Sequence, residues 1–393
     1  MLTFSVATNW DDNLIREIET LDSQHKVTEI FGKLASDFIG GARSTYTLPF
    51  VSKKRAVQHI KLVKNTGRKF NYLLNASCMD NREFTRSGQR QIRKLLSWLG
   101  SIGVDIITVA NPYLGYLIRN KYPKFKLAIS SHASVDSVSK TKFWTEEIGA
   151  NSITLTSHRT NRAFPSLKKI RSQVNCKLQL IANQLCLYDC PLSIYHRTST
   201  SHASQSHHPL RGFFIDWCLI NCRYKLLTHP EELIKAGWIR PEDVGYYERI
   251  GINSLKITDR IRDTQNIISI LKAYIERKFD GNLIDFIFYI KKLPILKGLK
   301  FFLHPLYINI FKLKKFIGLF SDIGIYVDNR KLDGFLDYFF EDKCNSDSCE
   351  SCGYCRSVAE RVVHIDNAYK ERIEKIFPEI IESLTNGDMF RYF

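Results

Sequence analysis

Three segments of this chain read almost as copies of one another. They are Ser101-Ile102-Gly103-Val104-Asp105-Ile106-Ile107-Thr108-Val109, Glu147-Ile148-Gly149-Ala150-Asn151-Ser152-Ile153-Thr154-Leu155 and Arg249-Ile250-Gly251-Ile252-Asn253-Ser254-Leu255-Lys256-Ile257. Each passes from a helix end through a glycine and a short polar turn into a β-branched run. Glycine suits the left-handed residue just past a helix C-terminus, and the apolar run suits a buried parallel strand. The first two copies stand about two helix–strand units apart, the rhythm of a (β/α) barrel or a doubly wound sheet.

The intervening stretches agree. Ile92, Leu95, Leu96 and Leu99 mark the apolar face of one helix, and Ala56, Ile60 and Val63 that of another, which ends near Gly67. Strands are predicted at 3–8, 70–74, 105–110, 126–130, 152–156, 178–182 and 254–258. Seven such units in residues 1–280 favour a TIM-like (β/α) barrel, with the open doubly wound sheet as the alternative. Residues 281–393 are expected to form a separate helical, cysteine-rich appendage. Four predicted strands run directly into asparagine, at Asn9, Asn75, Asn111 and Asn183. At the carboxyl end of a barrel strand an asparagine can orient a carboxylate or carbonyl in the active-site mouth, although asparagine is also a common turn residue.

Eight of the ten cysteines fall into two tight groups: Cys186-x3-Cys190 with Cys218-x3-Cys222, and Cys344-x4-Cys349-x2-Cys352-x2-Cys355. Four converging thiolates are what zinc and iron–sulfur clusters demand. The chain opens Met1-Leu2-Thr3-Phe4, without a basic or apolar leader, so a reducing, cytoplasmic setting and metal binding are expected rather than disulfides. The first pair follows a predicted strand and so belongs on the mouth of the barrel. Spacings of three are less typical of zinc ribbons, which favours a [4Fe–4S] cluster over zinc there; the second group suits a further cluster or zinc. Cys78 and Cys176 stand alone and read as packing residues.

The formal net charge is +17, and 44% of residues are hydrophobic. Such a field favours an anionic partner. The segment 290–320 carries seven lysines and no acid among many Phe, Ile and Leu residues, the expected contact surface for RNA or a partner protein. No run is long and apolar enough for a spanning helix.

The stretch Cys186-Leu187-Tyr188-Asp189-Cys190-Pro191, then Cys218-x3-Cys222-Arg223, Ile239-Arg240-Pro241-Glu242-Asp243 and Lys256-Ile257-Thr258-Asp259-Arg260, resembles the collagenase-like peptidase family U32. Ala7-Thr8-Asn9-Trp10, Gly40-Gly41-x-Arg43 and Asn71-Tyr72-Leu73-Leu74-Asn75 are similar as well. The resemblance implies a barrel with a [4Fe–4S] cluster on Cys186, Cys190, Cys218 and Cys222. It also implies oxygen-independent hydroxylation of a quinone ring or an RNA base, with prephenate proposed as the oxygen donor. Lys256, Arg260, Asn75 and Asn183 are then the candidate pocket residues for substrate and an anionic co-substrate. A peptidase is the alternative, and a non-enzymatic metal-stapled binding protein a third reading. No Gly-x-Ser-x-Gly, His-Glu-x-x-His or Cys-His signature supports the peptidase, and the Ser- and His-rich stretch 199–208 offers only chance triads.

Overall fold

Eight parallel strands close into a barrel in the computed structural model of the chain, which describes residues 1–209, 212, 214–288, 309, 312, 324–344 and 348–390. They are β1 (Thr3–Ala7), β2 (Val27–Gly32), β3 (Lys69–Leu74), β4 (Ile106–Val109), β5 (Lys126–Ile129), β6 (Ser152–Thr154), β7 (Lys177–Ile181) and β8 (Ser254–Ile257). Each pairs with its successor, and Phe4 beside Leu255 closes the ring between β1 and β8. The open-sheet alternative is thereby excluded. Seven strands coincide with those read from the sequence, and β2 is an addition. Its Glu29 points inward and breaks the apolar run by which a buried parallel strand is recognised.

The repeated glycines do what their position requires: φ is +80° at Gly103, +77° at Gly149 and +78° at Gly251. Each turns the chain from a helix end into the next strand. The helices Lys53–Asn65 and Arg86–Ser101 bury Ala56, Ile60 and Val63 in one and Ile92, Leu96 and Leu99 in the other, while Leu95 is half-buried at the edge of the core.

Alternation along the strands separates two environments. Outward residues such as Phe4, Ile30, Phe70, Ile107 and Leu255 pack in the main apolar core. Inward residues are largely polar and satisfy one another. Ser5 Oγ and Asn71 Nδ2 donate to Glu29 Oε1 at 2.7 and 2.8 Å, and Thr108 Oγ1 donates to Asn71 Oδ1 at 2.7 Å. On the far wall Thr154 Oγ1 donates to Gln179 Oε1, and Gln179 Nε2 to Ser254 Oγ, both at 3.0 Å. A small apolar patch of Ala7, Phe31 and Leu73 stands apart from the main core.

Beyond residue 280, β9 (Ile325–Val327) and β10 (Val363–Ile365) form an antiparallel pair. The helix Tyr354–Val362 packs on Pro230–Lys235, and Asn367–Thr385 packs on Trp217–Thr228. Buried Arg240 ties this region to the barrel: it grips Asp243 through two nitrogens at 2.8 and 2.9 Å and donates to the Asn329 carbonyl at 2.8 Å. The lysine-rich segment 290–320 lies outside the described residues except for Asn309 and Lys312. Among the described residues no helix is long and apolar enough to cross a membrane.

Candidate functional site

The carboxyl ends of β2, β3 and β8 build one wall of the barrel mouth. Lys33, the residue after β2, is fully buried with its Nζ 2.8 Å from Asp37 Oδ2. Tyr72 Oη donates to the same oxygen at 3.1 Å, and the Gly40 amide donates to Asp37 Oδ1 at 2.6 Å. The backbone approaches closely here, since a Cβ on Gly41 would stand 2.9 Å from the Lys33 side chain and 3.1 Å from Asn75 Oδ1. Only a glycine lets this turn lie over the buried lysine.

Arg260, just past β8, is 6% exposed, and its Nη1 has no hydrogen-bond partner among the described residues. Burial pulls its pKa down to about 10, with Arg43 adding to the effect, so the guanidinium stays charged at neutral pH. Arg43 lies 3.6 Å from Asp259. Asn75 donates through Nδ2 to Ser130 Oγ at 3.0 Å, and its buried Oδ1 has no hydrogen-bond partner among the described residues. Asn183 is differently placed. It donates to the Thr258 carbonyl and accepts from the Thr258 amide and hydroxyl, clipping the end of β7 to the end of β8. Asn9 and Asn111 serve their own loops, Asn9 bonding Arg262, Thr264 and Asp11 and Asn111 capping the helix Pro112–Lys121. Lys256 lies inside the barrel, with its ammonium 4.1 Å above the Phe31 ring.

The loop after β7 carries Cys186 and Cys190, and the helix Trp217–Thr228 carries Cys218 and Cys222. Cys186, Cys190 and Cys222 lie within electrostatic reach of one another, and Cys218 within reach of Cys190. Burial raises the pKa of all four thiols, Cys218 and Cys222 to about 12. Arg223 and Arg197 pull the other way at Cys186, and Arg223 also at Cys222. Arg223 repeats the pattern of Arg260: its Nε and Nη1 are buried without a hydrogen-bond partner among the described residues, and its guanidinium rests 4.1 Å from the Phe288 ring.

No three His, Cys, Asp or Glu side chains among the described residues close around a point that could hold a single metal ion. A tetrahedral zinc with bonds of about 2.3 Å would draw its thiolates to within about 4 Å of each other. A cluster spreads its four ligands over several irons and tolerates wider spacing. Four cysteine thiols beside basic side chains are a donor set that suits an iron–sulfur cluster.

The Ser- and His-rich stretch forms the rim. Ser201 Oγ accepts from the Ser77 amide at 2.9 Å, Ser204 Oγ accepts from the Gly41 amide at 2.7 Å, and Gln205 Nε2 donates to the Cys78 carbonyl at 2.7 Å. These serines hold loops rather than act as nucleophiles. His202 stacks on His208 and His207 on Phe38, while His196 bonds Asp216 at 2.9 Å. One triad-like geometry does occur, where the sequence gives no motif: Thr8 Oγ1 lies 2.8 Å from His59 Nε2, and His59 Nδ1 lies 2.7 Å from Asp12. Thr8 and His59 are both 0% exposed, and the Thr8 hydroxyl already accepts from the Trp10 amide, so no substrate carbonyl reaches it. Lys33, Asp37, Tyr72 and Arg197 are site residues that sequence reasoning misses. Lys33 would have followed from recognising β2, because it is the first residue beyond that strand.

The chain is similar to one protein family and to three known proteins. The model of peptidase family U32 matches residues 50–281. A protein of Methanocaldococcus jannaschii described as an uncharacterized protease is 31% identical over 330 residues, covering 84% of this chain and 87% of its own. The solved structure of the U32 peptidase Mk0906 is 20% identical with a TM-score of 0.49, over 65% of this chain and 92% of that one. Muconate lactonizing enzyme from Pseudomonas putida is 9% identical with a TM-score of 0.31, over 51% of each chain. On the family match and the extent of the M. jannaschii relative, this chain belongs to peptidase family U32.

Proposed function

We propose that the chain is an iron–sulfur enzyme of the oxygen-independent hydroxylase kind. It would modify an aromatic ring, an RNA base or a peptide at the barrel mouth, with an anionic, prephenate-like co-substrate. One observation carries this reading: Cys186 and Cys222 lie in the field of Arg223, whose buried Nε and Nη1 lack hydrogen-bond partners among the described residues. A buried guanidinium with free donors is costly, which favours a negative occupant beside it. The overall charge of +17 draws anions toward it.

Cys186, Cys190, Cys218 and Cys222 would hold a [4Fe–4S] cluster, which supplies one-electron transfer when bound. Arg260 presents a fork suited to a carboxylate, with Arg43 beside it for a second one. Asn75 Oδ1 accepts a hydrogen bond from the substrate and fixes its orientation. Lys33, Asp37 and Tyr72 hold the floor of the mouth rigid. The rim of residues 199–208 keeps water away from the reacting atoms.

Chain purified without oxygen should be brown, carry iron and acid-labile sulfide, and bind prephenate. Arg260→Lys should keep the colour and weaken prephenate binding by roughly tenfold or more, because lysine cannot reproduce the two-pronged contact. Unchanged affinity would remove Arg260 from the site. Zinc in place of iron and sulfide would turn the reading toward a binding protein.

A further inference from the structure

The second cysteine group lies away from the mouth, and its surroundings are those of a charged centre. Cys344, Cys349, Cys352 and Cys355 line one solvent-open hollow between the helix Pro230–Lys235 and the C-terminal segments. Cys349–Cys352 is a single helical turn. Gly353, at φ +66°, breaks it, and the helix Tyr354–Val362 starts anew with Cys355 in its first turn. The break redirects the chain so that thiols on two separate helical pieces open into the same space. Tyr338 and Tyr354 stack at 3.9 Å along its wall, and Tyr338 Oη lies 3.2 Å from Cys352 Sγ.

Behind this hollow sits Arg162, 4% exposed, in a cage made by Trp238 at 4.4 Å, Phe335 at 4.8 Å and Phe339 at 5.4 Å. Its Nη1 donates to the Ile234 carbonyl, while Nε and Nη2 have no hydrogen-bond partner among the described residues. The nearest buried carboxylate, Asp243, is already gripped by Arg240. Phe339 of this cage also lines the cysteine hollow, and Phe335 stacks on Tyr354 of its wall, so Arg162 and the thiols share these rings. Aromatic faces soften the burial of a guanidinium but do not supply the missing negative charge.

We propose that Cys344, Cys349, Cys352 and Cys355 hold a second [4Fe–4S] cluster, and that Arg162 is its buried counter-charge. The run Cys-x2-Cys-x2-Cys with a fourth, separate cysteine is the ligand spacing of ferredoxin-type clusters. Loading removes four thiol protons, and four thiolates on a doubly charged cubane leave a net charge of about −2. Arg162 offsets part of that charge and favours the reduced form, which carries one electron more.

The two centres share one loop. Residues of 157–163 touch the mouth loop at one end, where Ser157 bonds Gln184 and His158 meets the Leu187 carbonyl. At the other end the same loop carries Arg162.

The test uses the full chain, reconstituted anaerobically with iron and sulfide. Wild type should hold roughly eight irons and eight sulfides, and Cys352→Ala roughly four of each. Cys352 is the exposed member of its group, so its removal does not open the core. Cys186→Ala should also hold roughly four, now at the second site. In that background, Arg162→Met should move the midpoint potential of the remaining cluster to more negative values, and Arg162→Lys should largely restore it. Iron lost from Cys186→Ala but not from Cys352→Ala overturns this centre and leaves the mouth assignment standing. The reverse pattern overturns the mouth assignment and leaves this one. Zinc without sulfide at the second group, or a potential that ignores Arg162→Met, also overturns the proposal.

Discussion

Lys256 places an ammonium inside the barrel, held by the Phe31 ring and the field of Glu29. Burial drives its pKa from 10.5 to about 8. The folded chain therefore binds fewer protons than the unfolded chain between those two values, and stability rises with pH across that window. Below pH 8 the full penalty is present, about 3 kcal/mol, and it disappears above the unfolded value. Lys256→Met should therefore stabilise the protein at pH 7 by a few kcal/mol in urea unfolding, with the gain shrinking as pH rises from 8 to 10.5. Turnover should fall in the same variant if the amine serves the mouth. A gain that does not change with pH would mean that the amine is solvated. At this scale the sequence was only partly legible. Lys256 and Arg260 could be picked out by motif, but Asn75, whose oxygen lacks a partner among the described residues, and Asn183 with every group engaged look identical as letters. The difference lies in partners supplied by other strands, Ser130 in one case and Thr258 in the other.

The helix–glycine–strand unit is where sequence and structure correspond most directly. A left-handed residue after a helix is a local requirement, and the local sequence states it. Gly103 offers a clean measurement, because a Cβ there would meet only the flexible Lys64 side chain at 3.6 Å. Gly103→Ala should thus cost only backbone strain, about 1–2 kcal/mol, and Gly103→Asn less, with iron content unchanged in both. A loss much above that in thermal unfolding would point to packing rather than φ. The element that escapes the reading, β2, does so for the opposite reason. Its Glu29 is acceptable inside the barrel only because Ser5 and Asn71 reach it from neighbouring strands. A reading that expects apolar interiors passes over such a strand.

At the scale of the molecule, the C-terminal region is joined to the barrel through buried charge as well as apolar packing. Arg240 binds Asp243 and the Asn329 carbonyl, and Asn329 Nδ2 donates to Glu242 at 3.1 Å and to the Phe279 carbonyl at 2.8 Å. Arg240→Ala should destabilise by about 3–5 kcal/mol, since it strands a buried carboxylate. Arg240→Met with Asp243→Leu should recover much of that loss, as denaturant midpoints would report. If the double variant is no better than the single one, the arginine acts by packing alone. Arg162 imposes a different kind of constraint, one of timing. It leaves the ribosome about 180 residues before Cys344, a wait on the order of ten seconds or more at ordinary rates of synthesis. For almost all of that interval its cage lacks Phe335 and Phe339, and the cysteines of the proposed second centre have not been made. The nascent barrel must keep this flank wet and unfinished until almost the whole chain has emerged.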